Sequence, residues 1–210
     1  MIQGILHFFG RAICHQIEER SLQASGNTLS VCARDTGIYI GIFSTLAYLH
    51  LFKRRSKLTI PSIKISFFLL LCMVPLMIDG LGSYAHWFES TNVRRLITGI
   101  CFGFVLPYFL YPLLSDKALE NMSEPAVKHS KDVMVPLLQS SILAGIIYWG
   151  KLSYWIIDSL IILTLIVWFS LCSSFLFSQV RNTRLKSALS IFGGLAFLSF
   201  LSLLHSLVIS

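Results

Sequence analysis

Charge is what this sequence has least of. Of its 210 residues, 13% are Asp, Glu, Lys or Arg, about half the roughly 25% of an ordinary soluble domain. With 55% hydrophobic residues and a mean hydropathy of +0.72, so little polar surface excludes a water-exposed globule of this size. Acids are scarcer than bases: 10 Asp and Glu stand against 17 Lys and Arg, a net charge of +7. In a soluble chain that excess would raise nucleic acid as a partner. Here the basic residues fall in short loops between apolar runs, the distribution that sets topology in a bilayer. Membrane lipids, not nucleic acid, are the expected partners. There is no P-loop, dinucleotide fingerprint, nucleophile elbow or His-Glu-x-x-His motif, so no nucleotide cofactor is expected. Met1 to Phe9 lacks a basic n-region and a small-residue cleavage site. The last residues form no prenylation box, so neither a secretory signal peptide nor prenylation is expected.

What is present is a series of apolar runs. A spanning helix takes roughly 20 mostly apolar residues. Such runs cover 36–52, 60–78, 93–114, 133–149, 153–177 and 187–209. Pro61 falls in a first turn, where proline is tolerated. Residues 1–13 are amphipathic and too short to span, with Phe8 and Phe9 beside His7 and Arg11. The expected fold is all-α: a polytopic membrane bundle of about six spanning helices plus a short N-terminal interfacial helix. It forms one membrane domain over 1–210, without internal repeats. Residues 1–115 carry most of the polar punctuation, and 133–210 read as scaffold helices.

Orientation follows from the basic residues. Lys53, Arg54, Arg55, Lys57, Lys64, Lys117, Lys128, Lys131, Arg181, Arg184 and Lys186 share one side, eleven in all. Arg11, Arg20, Arg34, Arg94, Arg95 and Lys151 make six on the other. The first side is expected to be cytoplasmic. Both termini then lie outside the cytoplasmic membrane of a prokaryote.

Polar and reactive residues gather in the N-terminal third. Cys14-His15 and Cys32-Ala33-Arg34-Asp35 supply thiolate, imidazole and carboxylate, all zinc ligands. A zinc site on Cys14, His15, Cys32 and Asp35 is one reading. A Cys14–Cys32 disulfide, natural on an oxidising face, and two unlinked packing thiols are the others. Glu18, Glu19, Arg20, Arg34 and Asp35 form a charged string whose last two members abut a spanning helix, where a charge needs a partner or a polar cavity. Asp79-Gly80 is followed by Ser90-Thr91-Asn92, a candidate helix cap, and by Arg94-Arg95. Arginine suits bidentate phosphate or carboxylate binding. Gly37-x-x-x-Gly41 and Gly99-x-x-x-Gly103 have the spacing that lets membrane helices approach closely. If those helices pack, Arg34 and Asp35 come near Arg95 and Thr98. Cys72, Cys101 and Cys172 read as core thiols. His205 and the intramembrane Asp158 have no supporting motif.

Cys14-His15-Gln16, Glu19-Arg20-Ser21 and Cys32-Ala33-Arg34-Asp35-Thr36-Gly37-Ile38-Tyr39-Ile40-Gly41 resemble a family of small prokaryotic membrane proteins, domain-of-unknown-function family 2085. Its signature reads approximately CHQ-x-x-ERS, then CARCTGIYxG, then a DG segment and a T/S-N-x-x-R-x-x-TG segment. Asp79-Gly80 matches the third piece, and Thr91, Asn92, Arg95, Thr98 and Gly99 the fourth. The likeness covers about 14–103. Asp35 stands where the family pattern has a third cysteine, which weakens a Cys-x-x-Cys reading but leaves a zinc-competent donor. The resemblance implies a shared unit of residues, not an activity.

The leading expectation is an extracytoplasmic-face site acting on an anionic, amphiphilic phospholipid-like substrate. Arg34, Arg95 and Asn92 would bind it, and His15, Asp79 and Arg95 would serve the chemistry. Alternatives are a lipid or small-solute transporter or flippase, a membrane thiol-disulfide oxidoreductase using Cys14 and Cys32, and a non-catalytic assembly or sensor protein.

Overall fold

A computed structural model describes residues 2–53, 58–114, 124–150, 152–180 and 182–209. Arg54, Arg55, Lys57, Lys117, Lys151 and Arg181, six of the residues that set the expected orientation, lie outside the described residues. The helices are α1 (Ile2–Arg11), α2 (Ala33–Phe52), α3 (Ile63–Tyr84), α4 (Asn92–Gly103), α5 (Leu106–Leu113), α6 (Lys131–Tyr148), α7 (Tyr154–Ser173) and α8 (Thr183–Ile209). Short strands β1 (Ser21–Ala24), β2 (Asn27–Cys32), β3 (Leu58–Thr59) and β4 (Glu124–Pro125) accompany them. The protein is mostly helical. Among the described residues, four segments are long and apolar enough to cross a membrane: Ile63–Tyr84, Asn92–Leu113, Tyr154–Ser173 and Thr183–Val208. The second of these joins α4 and α5. By length and composition the described residues give four spans, and the expected count of about six is not confirmed. α2 and α6 are comparably long, at 20 and 18 residues, but carry more polar side chains.

The chain divides into two compact units. One holds 1–32 and 150–210, the other 33–149.

In the first unit, residues 21–32 form a β-hairpin. Ala24 pairs with Asn27 and Gln23 with Thr28. Ser25 and Gly26 both have positive φ, 50° and 78°, the two-residue primed turn whose twist matches paired strands. Leu22, Ala24, Leu29 and Val31 are buried, so the hairpin has an apolar side despite its polar composition. Its position against α7 is set by Asp158, fully buried, whose Oδ1 accepts from Ser30 N–H at 3.0 Å and Ser30 Oγ at 2.7 Å. α1 meets the hairpin at Gly10, where a Cβ would overlap the Ser30 carbonyl. It meets α8 where Ser202 Oγ donates to the Phe8 carbonyl at 2.7 Å. At the α7–α8 crossing, Gly194 lies against the Ser170 backbone.

In the second unit, α2 and α4 interlock through the two glycine pairs. A Cβ at Gly37 would overlap the Leu96 carbonyl, one at Gly99 the Arg34 carbonyl, and one at Gly103 the Ile38 carbonyl. Helix backbones touch at these positions, the approach small-residue spacing permits. The third expected span breaks at Phe104-Val105. Pro107 at the start of α5 has no N–H to donate back to the Gly103 carbonyl. The Phe104 carbonyl accepts instead from Thr45 Oγ1 at 2.9 Å. Tyr48, Leu49, Leu69, Phe104, Val105 and Tyr108 build the core beneath the break. α3 leaves Phe67, Phe68, Leu71, Met77 and Leu81 exposed, as a lipid-facing helix does.

Asp132 lies at the start of α6. The structure buries it and surrounds it with donors: Lys128 N–H at 2.7 Å, Tyr48 Oη at 2.7 Å, His129 N–H at 2.9 Å and Lys53 Nζ at 3.0 Å. Burial alone would raise its pKa, but these donors outweigh it and hold the carboxyl at about 2, below its ordinary 3.8.

Candidate functional site

The predicted site residues divide between the two units. Arg34, Asp35, Asp79, Asn92, Arg95 and Thr98 belong to 33–149, and Cys14, His15 and Cys32 to the other unit.

In the 33–149 unit, Asp79 is the centre. It lies in the last turns of α3, roughly 8 Å before the helix ends at 1.5 Å per residue, and is fully buried. A carboxylate at such depth needs compensation, and it receives three donors. Ser90 Oγ donates to Oδ1 at 2.6 Å. Arg34 NH2 meets Oδ2 at 2.6 Å. Arg94 Nε meets Oδ1 at 3.0 Å. α2 thus contributes Arg34 from its first turn, and α4 contributes Arg94 from its own. Thr91 caps α4, its side chain accepting from Arg94 N–H at 3.3 Å. The cap expected over Ser90–Asn92 is therefore Thr91, which leaves Ser90 for Asp79. Phe88 folds back so that its ring fills the space beside Gly82. The Arg94 guanidinium lies 4.0 Å over that ring, a favourable cation–π position.

Each arginine spends one nitrogen on Asp79, although a guanidinium carries five N–H donors. Arg34 Nε is buried and has no hydrogen-bond partner among the described residues. The Arg34 side chain is nevertheless 26% exposed and that of Arg94 45%. Arg95 is buried and donates to Asn92 Oδ1 at 3.3 Å. Thr98, also buried, returns its hydroxyl to the Arg94 and Arg95 carbonyls at 3.0 and 3.2 Å. The packing of α2 on α4 carries Arg34 to the backbone of Gly99, as the glycine spacing suggested. Asp35 stands half-buried in the first turn of α2, three residues beyond Cys32 along the chain. From sequence, Ser90 is a cap candidate and Arg94 one of two adjacent arginines, and neither is assigned to Asp79. A first-turn arginine three residues after a threonine cap was the available signal, but it is too common to single out.

In the first unit, Cys14 and Cys32 come together without a disulfide. Their sulfurs lie within 4.8 Å. Cys14 Sγ is buried and accepts two backbone N–H groups, from Cys32 at 3.1 Å and Gln16 at 3.4 Å. Gln16 adopts φ 54°, uncommon for a residue with a side chain. Its amide is tied to the His7 and Ser30 carbonyls at 2.8 and 2.9 Å, which holds that conformation. His15 is exposed, and its ring packs edge-on against His205, 4.7 Å between centroids.

A family model described as a predicted membrane protein (DUF2085) matches residues 14–109, a stretch that contains every predicted site residue. An uncharacterized protein of Methanocaldococcus jannaschii is 32% identical over 101 residues, which cover 48% of this chain and 63% of that protein. Another, from Methanothermobacter thermautotrophicus, is 37% identical over 93 residues, covering 44% of this chain and 79% of the relative. The chain therefore spans less than two thirds of the first of these relatives. No solved structure matches it.

Proposed function

The chain belongs to the DUF2085 family of predicted membrane proteins, and on that premise we propose that it binds the anionic headgroup of an amphiphilic, phosphorylated lipid at the Arg34–Asp79–Arg94 cluster. The observation that carries this reading is the incomplete use of two guanidiniums at the end of a spanning helix. Each gives one nitrogen to Asp79, and the buried Arg34 Nε has no partner among the described residues. A headgroup phosphate offers acceptors that such donors match. Asp79 is a positioning residue in this reading, since its oxygens are already taken by three donors. Arg95 and Asn92, which hold each other, shape the neighbouring wall of α4. Topology is part of the same proposal. α2 and α6 add to the four apolar segments to make about six crossings of a single membrane domain, with α1 in the interface and both termini outside the cytoplasm.

Binding of short-chain phosphatidic acid and of the matching diacylglycerol to the purified full chain tests the proposal. Phosphatidic acid is expected to bind at least tenfold more tightly, and Arg34→Gln to remove most of the difference. Equal affinity for the two ligands refutes it. Turnover of the phosphorylated ligand would place the protein among enzymes. Its movement between leaflets without turnover would favour the flippase alternative.

A second reading rests on a separate observation, the two N–H groups aimed at Cys14 Sγ beside Cys32. The pair suits a zinc ion, with His15 and Asp35 as the further donors the sequence supplies. Zinc there would be structural if all four positions are filled by protein, and catalytic if one stays open. Metal analysis of protein purified without chelator, compared with Cys14→Ser, tests it. Absence of metal together with a Cys14–Cys32 bond that cycles under thiol trapping would favour the oxidoreductase alternative.

A further inference from the structure

Between α7 and α8 runs an open groove of about 550 Å³. Leu163, Ile166, Val167 and Leu171 on α7 and Ile191 on α8 line it, and Lys186 stands at its α8 end. The groove also contains serines, which would make it polar if their hydroxyls faced it for bonding. Three of them are already spent on their own helices. Ser170 Oγ donates to the Ile166 carbonyl at 2.7 Å, Ser190 Oγ to the Lys186 carbonyl at 2.7 Å, and Ser174 Oγ to the Leu171 carbonyl at 2.8 Å. With these donors satisfied, the channel offers hydrocarbon contact along most of its length. Both walls belong to segments long and apolar enough to cross a bilayer, so its natural occupant is an acyl chain.

The mouth adds a charge preference. Lys186 lines it, Arg184 lies two residues away on the same helix, and the sequence holds no Asp or Glu anywhere after Asp158. The other acids of this unit, Glu18 and Glu19, precede the hairpin. Lysine on a short stretch of helix at a membrane boundary extends its ammonium toward the headgroups while its stem stays in hydrocarbon. We propose that the α7–α8 groove is a lipid site that holds one acyl chain of an anionic diacyl phospholipid, with Lys186 and Arg184 on its headgroup phosphate. This site is independent of the Arg34 cluster and uses different residues.

Native mass spectrometry of the full chain in detergent, with added phosphatidylglycerol or phosphatidylcholine, tests the proposal. The wild type is expected to retain phosphatidylglycerol in preference. Each basic side chain near an anionic headgroup contributes roughly 1 kcal/mol, about a fivefold change. Lys186→Gln should therefore lower the phosphatidylglycerol-to-phosphatidylcholine ratio about fivefold, and Lys186→Gln with Arg184→Gln should bring it near one. Ile166→Trp, which fills the groove, should reduce retention of both lipids. All of these ratios are compared in an Arg34→Gln background, so that the Arg34 cluster adds no anionic preference of its own and the two sites fail separately. Equal retention of the two lipids by the wild type overturns the proposal, as does a preference that survives the double glutamine variant. That variant changes two side chains at the α8 end, so it decides the matter even if the tryptophan variant does not fold.

Discussion

Replacing Asp79 by alanine removes one carboxylate and strands three donors. The cost can be worked from their exposure. Ser90 and Arg34 approach at 2.6 Å, and hydrogen bonds to charged groups contribute roughly 1.5–3 kcal/mol each. Arg94 is almost half exposed and can turn to water or headgroups, so its pair counts for about 0.5 kcal/mol, as at a surface. The lower end of these ranges gives a loss of about 3.5 kcal/mol for Asp79→Ala, consistent with breaking one side of a buried pair. Asp79→Asn keeps the shape and one acceptor, so about half that loss is expected. Arg34→Met combined with Asp79→Met removes both charges and should regain a large part of it. Reversible unfolding in mixed micelles, followed by circular dichroism, measures all four proteins. A loss below about 0.5 kcal/mol for Asp79→Ala would refute the claim that this carboxylate joins α2, α3 and α4.

Gly103→Ala places a methyl group into the Ile38 carbonyl and is expected to cost about 2 kcal/mol or more. Gly80→Ala meets nothing within 4 Å and should be neutral or stabilising by up to about 1 kcal/mol. The same unfolding assay compares them, and equal effects would contradict the α2–α4 contact. Asp132 should confer acid sensitivity. Its folded pKa of about 2 lies below the ordinary 3.8, so its stabilisation is complete above about pH 4 and lost as pH falls toward 2. About 2 kcal/mol is at stake, and an Asp132→Asn protein should show a flatter stability profile over that window. Ser30→Ala removes one of the two donors on Asp158 Oδ1. It should cost about 1–2 kcal/mol and speed amide exchange in the hairpin, read by hydrogen-exchange mass spectrometry.

The helical, membrane-borne character was legible in sequence because long apolar runs have few alternatives in a bilayer. The glycine pairs were legible for a similar reason: spacing on a helix fixes a face, and small residues on that face invite a close neighbour. The hairpin over 21–32 escaped notice because four- and six-residue strands leave too short an alternation to stand out among polar residues. The burial of Asp132 was not legible because two of its four donors, Tyr48 Oη and Lys53 Nζ, lie some eighty positions away. The same holds for Asp79. Its type and depth marked it as needing a partner, but three arginines stood within reach by sequence. Packing of α2 on α4, and the fold of the Phe88 loop, selected Arg34 and Arg94 for it and set Arg95 against Asn92. Sequence by itself thus determined the solvent this protein lives in, its helices and the residues that cannot stand alone. Tertiary structure decided which of them meet, because contact between distant positions depends on helix rotation and register, which no local pattern encodes.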